Sequence, residues 1–239
     1  MSLVYLDSCG DVYTTSQLPK RWDVVTGSPT VSSSIGRRDS GGINLPTTGD
    51  RLQKNVPGLV EYGVGIAAKL DTLVVTDLFT LREGTTDHII VRLTALGAVE
   101  VLRAPSTQLG ITANGFIFAG FFNYIEIRAL IDGAAGTIEL DLNGTNLISL
   151  TSQNTDNSGA VPEIDNIEIE GSAGSLTIDD FYIISVTGGA PQNDLLGDTA
   201  VWTILPIGDG TTNDWAVLEP ATPTTSFDKV DDPTPDDDA

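Results

Sequence analysis

Short runs of alternating apolar and polar residues, separated by glycine turns, fill the stretch from Asn123 to Ser185. In the run N-Y-I-E-I-R, Tyr124 and Glu126 would face one side of a strand, and Ile125 between them would face the other. This two-residue period is the signature of half-buried β-strands, and no helical period competes with it. The stretch therefore predicts a series of antiparallel strands.

A hairpin signal lies inside this stretch. Asn143-Gly144 separates the apolar runs 138–142 and 147–150, and this dipeptide readily takes positive φ at both centres of a two-residue turn. We expect the two runs to pair. The predicted fold class is all-β: an antiparallel jelly-roll β-sandwich with an irregular acidic C-terminal extension.

The sequence divides into two unequal parts. A chain of 239 residues is long enough for one large sandwich and an appendage. The run V-T-G-G-A-P-Q-N-D after residue 185 marks the boundary, so we predict a sandwich over 1–187 and an acidic connector or assembly tail over 188–239. Proline and aspartate in the second part argue against a core of its own.

The net charge excludes some classes of function. With 33 acidic against 12 basic residues, the formal charge is −21, and nucleic-acid binding depends on Lys and Arg neutralising phosphates. No apolar run approaches the ~20 residues that span a bilayer, and no basic leader precedes an apolar segment. We therefore expect no nucleic-acid partner, no membrane insertion and no export signal.

Several positions have predicted structural roles. Trp22 should anchor the core, since its ring is the largest apolar surface in its region. Cys9 is the single cysteine and should be buried, without a disulfide partner in the chain. The run 58–70 is interpreted as a strand, and the apolar run 115–127 as two adjoining strands buried on one face.

Three segments resemble the laminin-G-like and concanavalin-like jelly-roll families. They are Y-I-E-I at 124–127, L-N-G at 142–144 and I-D-D-F-Y-I at 178–183. The resemblance implies a jelly roll that covers most of residues 1–187. It also implies bound calcium in some relatives.

A second resemblance is to uncharacterised structural proteins of tailed phages. It lies in the opening Y-L-D-S-C-G-D, the run S-S-I-G-R-R-D-S-G-G-I-N-L at 33–45 and the ending S-F-D-K-V-D-D-P-T-P-D-D-D. It implies a non-enzymatic decoration, neck or tail-associated protein, made in the host cytoplasm and located in the virion. Its partners would be neighbouring capsid or tail subunits and further copies of itself, as a homo-oligomer.

Five residues are the predicted contacts with such partners: Arg37, Arg38, Trp202, Trp215 and Phe227. The two arginines follow a glycine and should pair with carboxylates, within the fold or across an interface. The three aromatic residues belong to the acidic C-terminal part.

Calcium is the one cofactor weighed, at Asp179 and Asp180 with Asp7 or Asp11. Calcium takes carboxylate and carbonyl oxygens as ligands. The alternative is that these carboxylates accept hydrogen bonds from backbone N–H groups in turns. No other cofactor is predicted.

A third functional hypothesis is glycoside hydrolysis. Glu163 and Glu168 match the E-x-D-x-x-E spacing of a jelly-roll glucanase family, but alternation places them on opposite faces unless a bulge intervenes. The alternative is a strand with an acidic outer face. His88, the only histidine, is interpreted as a surface or turn residue, not as part of a catalytic triad.

The main alternative to the structural role is a carbohydrate-binding adhesin module for host-surface glycans. The polar loop 152–159 or a sheet face would hold the glycan. An exposed aromatic side chain such as Tyr62, Phe79 or Tyr124 would favour this function, because sugar rings stack on aromatic rings.

Overall fold

Two antiparallel sheets pack face to face in the computed structural model, which describes residues 3–10, 13–157, 162–186 and 194–201. The predicted all-β sandwich of the jelly-roll type is confirmed. The chain divides into two compact units, 1–202 and 203–239, and the second lies outside the described residues.

Fifteen strands occur in the described ranges, and all their pairings are antiparallel. In chain order they are β1 (Leu3–Asp7), β2 (Val24–Thr26), β3 (Thr30–Ser32), β4 (Gly42–Leu45), β5 (Arg51–Leu59), β6 (Glu61–Leu70), β7 (Thr76–Glu83), β8 (Thr86–Leu93), β9 (Val99–Arg103), β10 (Thr107–Ile111), β11 (Asn123–Leu130), β12 (Gly136–Leu142), β13 (Thr145–Gln153), β14 (Ile164–Glu170) and β15 (Leu176–Ser185). One short helix, α1 (Leu18–Arg21), and two 3₁₀ turns, Thr15–Gln17 and Arg37–Asp39, accompany them in this part of the chain.

The first sheet has the order β13-β12-β11-β6-β15-β4-β3, and β1 also pairs with β15. The second sheet has the order β10-β9-β8-β7-β14-β5-β2. No helix within the described ranges is long and apolar enough to cross a bilayer.

Alternate residues of the facing strands build the core between the sheets. On β11 the side chains of Ile125 and Ile127 are fully buried, and on β14 those of Ile167 and Ile169 are too. Burying each such side chain contributes about 1.5–3 kcal/mol relative to exposing it. The two-residue period of the sequence thus places one apolar face of each sheet in the core.

Trp22 closes the core near the N-terminus, as predicted. It follows α1 and is 1% exposed. Its ring centroid lies 5.8 Å from that of Tyr5 on β1 and 5.2 Å from that of Phe181 on β15. These ring contacts hold the N-terminal segment against the first sheet.

The predicted hairpin turn is also confirmed. Asn143 and Gly144 have φ of 50° and 74°, and they connect β12 to β13. The predicted strand 58–70 is interrupted at Val60, since β5 ends at Leu59 and β6 begins at Glu61. Both strands contribute to the sandwich, one to each sheet.

Residues 194–201, which the predicted boundary at 187 assigns to the connector, lie against the first sheet.

Candidate functional site

Three residues form one row across the middle of the first sheet. Glu126 on β11 is the register neighbour of Gly65 on β6, and Gly65 is also the register neighbour of Tyr182 on β15. Because Gly65 has no side chain, the Tyr182 ring lies directly over it. The Tyr182 hydroxyl donates a hydrogen bond of 2.5 Å to Oε1 of Glu126. The row lies on the outer face of the sheet, away from the core.

Residues 194–201, called the strap below, cover this row. The backbone N–H of Leu196 donates to the Tyr182 hydroxyl (3.1 Å), and that of Gly197 donates to Oε1 of Glu126 (2.9 Å). Leu196 also packs against a small apolar cluster on the same face. As a result, the side chains of Glu126 and Tyr182 are both fully buried.

Arg37 binds the strap near its C-terminal end, at residues 198 and 199. Its guanidinium lies 5.3 Å from the centroid of the Tyr124 ring, donates to the carbonyl oxygen of Thr199 (3.1 Å) and forms an ion pair with Asp198. It also lies 3.5 Å from a carboxylate oxygen of Asp180. Arg37, predicted to bind a partner, therefore binds the chain's own carboxylates.

Two further arginines face the strap. Arg38 lies 3.8 Å from Asp198, and Arg128 on β11 lies 3.6 Å from Asp194. Arg128 also donates to Glu61 (2.8 Å). Both carboxylates of the strap are thus paired with arginines of the sandwich.

Glu126 and Tyr182 are both titratable groups whose burial changes their proton affinity. Burial raises the pKa of Glu126, and the hydrogen bonds from Tyr182 and Gly197 partly oppose this effect. Burial and the Glu126 charge raise the pKa of Tyr182. The second carboxylate oxygen of Glu126, Oε2, is buried and has no hydrogen-bond partner. Oε2 is therefore a hydrogen-bond acceptor when Glu126 is ionised and a donor when Glu126 is protonated.

Asp179 and Asp180 lie on β15 between the residues that pair with β4 and those that pair with β1. Oδ2 of Asp179 accepts hydrogen bonds from the Arg37 N–H and the Ser40 hydroxyl, both at 2.7 Å, and Asp180 accepts from the Val201 N–H at 2.6 Å. Asp180 has a φ of +47° and belongs to a bulge in the pairing with β6. These carboxylates position the loop around Arg37 and the end of the strap.

Asp7 positions the N-terminal segment, also by accepting hydrogen bonds. Its carboxylate accepts hydrogen bonds from the Tyr5 hydroxyl (2.9 Å), the Tyr13 hydroxyl (3.0 Å) and the backbone N–H of Cys9 (2.8 Å). Cys9 is buried, as expected. Within the described ranges no group of three or more His, Cys, Asp or Glu residues could hold a metal ion. The structure thus does not join Asp7, Asp179 and Asp180 into a calcium site, and Asp11 lies outside the described residues.

Glu163 and Glu168 do not share a cleft. A bulge occurs between Ile164 and Asn166, as the catalytic hypothesis required. However, the two glutamates are five residues apart along the chain, or about 16 Å at ~3.3 Å per residue, whereas a retaining pair needs about 5–5.5 Å. Glu168 is instead paired with Arg82 at 2.6 Å. The geometry matches an acidic outer face, stabilised by ion pairs.

His88 was predicted at the surface or in a turn, and this prediction is wrong. It lies on β8 and is fully buried. Its Nδ1 accepts a hydrogen bond from the Asn157 N–H (3.1 Å), and its Nε2 lies 3.6 Å from Glu83. The segment after β13 covers the imidazole, a contact between residues distant in sequence.

The run expected to form two buried strands contains instead a long loop. Residues 112–122 connect β10 to β11, and the side chains of Phe116, Phe118 and Phe121 are 42, 61 and 68% exposed. Ile117, between two of these rings, is buried, and its N–H donates to Gly97. The N–H of Gly120 donates to Leu70. The loop is therefore anchored while its aromatic rings face solvent.

Exposed apolar side chains are concentrated at this end of the sandwich. Four loops that connect strands lie at this end, and together they are called the loop end below: 71–75, 94–98, 112–122 and 171–175. Nine large apolar side chains are exposed within the described ranges, and six belong to the loop end or the adjoining strand terminus: Val75, Leu96, Ile111, Phe116, Phe118 and Phe121.

A polar depression of about 190 Å³ lies at the same end. Val75 and Thr76 line one side, and Arg92, Asp77 and Glu170 contribute charges. Arg92 and Asp77 form a two-bond ion pair, at 2.5 and 3.1 Å. Exposed aromatic rings and fixed polar groups thus occur at the same end of the sandwich.

The other predicted contact residues are placed differently or not at all. Tyr62, Phe79 and Tyr124 are all fully buried, so none is the exposed aromatic side chain that would favour the adhesin hypothesis. Of the loop 152–159, residues 152 and 153 belong to β13, and residues 158 and 159 lie outside the described ranges. Trp202, Trp215 and Phe227 also lie outside the described ranges.

No protein family matches the sequence, and no curated protein matches it. Solved structures match the fold. A carbohydrate esterase, vb_24B_21, from Shiga toxin-encoding bacteriophage phi24B has a TM-score of 0.50 at 10% identity, over 77% of this chain and 99% of that one. The alginate lyase Aly36B with an alginate tetrasaccharide scores 0.49 at 12% identity, over 77 and 95%. A Trypanosoma rangeli sialidase scores 0.46 at 10% identity, over 65 and 27%.

These similarities correct one prediction. The chain was expected not to be an enzyme, yet the sandwich that it shares with the phage esterase is a fold in which carbohydrate-active enzymes occur. The non-enzymatic prediction is therefore wrong. It rested on the lack of a recognisable catalytic motif in the sequence.

A sequence signal for the covered face does exist. Gly63, Gly65 and Ala67 occupy alternate positions of β6, so the outer side of this central strand carries almost no side-chain volume. Two neighbouring tyrosines and the strap fill the space. Small residues at a two-residue period in a central strand thus indicate a trough.

Substituting Gly65→Ala should displace the Tyr182 ring, because the added methyl group would overlap it. We expect faster hydrogen exchange at the Leu196 and Gly197 amides and a loss of roughly 1–3 kcal/mol in the free energy of unfolding. The control is Gly133→Ala, where nothing lies within 4 Å of the new carbon. Unchanged exchange in the strap would contradict this account.

Stability should fall as pH rises through the range in which Asp179 titrates. Burial raises the pKa of Asp179 from 3.8 to about 7, so between these values the folded state binds more protons than the unfolded state. The free energy of unfolding then decreases with pH in that window, and the contribution is complete below pH 3.8. Asp179→Asn should reduce this slope in denaturation measured from about pH 4 to 7, whereas Asp71→Asn, at an exposed site, should not.

Proposed function

We propose that this chain is a carbohydrate-directed protein of a tailed-phage particle and that its loop end contacts the carbohydrate. It works in the virion beside other virion proteins, as a homo-oligomer. This replaces a purely structural, non-enzymatic role as the leading hypothesis.

The observation that carries this proposal is the set of exposed rings on an anchored loop. Phe116, Phe118 and Phe121 face solvent while Ile117 between them is buried, so the loop presents apolar rings at a cost in free energy. Concentrated exposed apolar surface marks an interaction site. Sugar rings have one apolar face that stacks on such rings, and the nearby Asp77, Arg92 and Glu170 offer hydrogen bonds to hydroxyl groups.

Two further findings support the carbohydrate target and the phage setting. The phage carbohydrate esterase shares the fold over nearly its whole length. The segments at 33–45 and at the C-terminus resemble tailed-phage structural proteins. Loops at the end of a rigid sandwich are also common locations for binding residues.

A second candidate function is chemistry on a carbohydrate at the outer face of the first sheet. The buried Glu126 carboxylate has one oxygen bonded to the Tyr182 hydroxyl and one oxygen without a partner. A carboxyl group and a phenol in direct contact can transfer a proton to or from a sugar substrate. This pair is the catalytic candidate on the outer face of the first sheet.

The binding proposal predicts that Phe118→Ala/Phe121→Ala weakens glycan binding by roughly 5- to 150-fold, at about 0.5–1.5 kcal/mol for each ring. Binding would be measured on an array of bacterial surface polysaccharides. The control is Leu6→Ala/Val24→Ala, which removes two exposed apolar side chains elsewhere. An array without any binding, or an unchanged affinity in the aromatic variant, would overturn the proposal.

The catalytic candidate predicts that polysaccharide cleavage or deacylation decreases about 10²- to 10⁴-fold in Glu126→Gln and in Tyr182→Phe. New reducing ends and released acyl groups would be measured. Glu139→Gln removes a carboxylate of the neighbouring strand β12 and should retain activity. Equal activity in all three variants would exclude the pair.

A further inference from the structure

The strap carries two carboxylates, and arginines of the sandwich bind both. Asp194 lies 3.6 Å from Arg128, and Asp198 pairs with Arg37 and Arg38. These contacts lie on opposite sides of the row formed by Glu126 and Tyr182. An acidic segment of the chain thus occupies a face with a basic group at either end.

The covered face has the form of a trough. Gly63, Gly65 and Ala67 provide its floor, which extends about 13 Å along β6, and the rings of Tyr124 and Tyr182 lie over it. The buried oxygen Oε2 of Glu126 has no partner beneath the strap. An unpaired buried acceptor costs free energy, and a ligand hydroxyl that donates to it would remove that cost.

We propose that this trough is a binding site for an acidic polysaccharide and that the strap occupies the site until the polysaccharide displaces it. Uronate carboxylates would take the positions of Asp194 and Asp198, and a sugar hydroxyl would donate to Oε2 of Glu126. This inference rests on the proposed carbohydrate-directed function, because it names the class of glycan and a second surface.

The strap is held by interactions that a polyanion can replace. The Asp194 and Asp198 side chains are 68 and 40% exposed, and ion pairs at such sites contribute little. The remaining hydrogen bonds come mainly from the N–H groups of Leu196, Gly197 and Val201. Sugar hydroxyl groups can donate to the same acceptors. The aromatic rings and the unpaired oxygen favour a polysaccharide over an acidic peptide.

The test compares full-length protein with Asp194→Asn/Asp198→Asn in binding polygalacturonate, dextran and poly-aspartate. We expect polygalacturonate to bind, the double variant to bind it about 3- to 10-fold more tightly, and dextran not to bind at this face. The control Asp23→Asn/Asp87→Asn removes two partly exposed, ion-paired carboxylates away from the strap and the loop end; it changes the net charge equally and should bind like wild type. Hydrogen exchange at the Leu196, Gly197 and Val201 amides should increase when polygalacturonate is added.

Three outcomes would overturn the inference. They are equal affinity in the double variant and the control, strap amides that stay protected in the complex, and poly-aspartate binding at least as tightly as polygalacturonate. The Phe118→Ala/Phe121→Ala variant separates this inference from the proposed function. If that variant loses glycan binding while the strap variant binds like the control, the loop-end proposal stands and the trough proposal fails.

Discussion

The arrangement of side chains on the outer face of the first sheet depends on Gly65, which has no side chain. Only a glycine at this register position lets the Tyr182 ring cross β6 and reach Glu126 on the next strand but one. The hydroxyl and the carboxylate then supply the acceptors for the strap. The burial of Glu126, the raised pKa values of Glu126 and Tyr182, and the position of the strap all depend on one contact. In it, the Tyr182 ring approaches the backbone of Gly65 closely.

Local patterns predict much of this architecture. The alternation around Ile125, the hairpin turn at Asn143 and the anchoring role of Trp22 each depend on residues close in sequence, and each agrees with the structure. The two-residue period of a strand and the residue types that form a turn can both be recognised from a few consecutive residues. They determine which faces are apolar, and the apolar faces determine the sandwich.

The candidate sites depend on contacts that a local pattern does not contain. The aromatic run at 116–121 has the composition of a buried strand, but its glycines and its hydrogen bonds to Gly97 and Leu70 make it a loop. The strap belongs to the acidic C-terminal part, whose composition suggests a solvated connector, yet arginines more than 60 residues away bind it. His88 is buried because a segment some 70 residues later covers it.

The partner change along β15 has a consequence for the edge of the first sheet. Residues 176–178 pair with β4, and residues 181–184 pair with β1 on the same side. The second of these runs, F-Y-I-I, is apolar and rich in β-forming residues, so an open edge there would be a template for pairing between chains. The five residues of β1, Leu3–Asp7, therefore protect this edge from aggregation as well as forming part of the sheet, and removing them would expose F-Y-I-I.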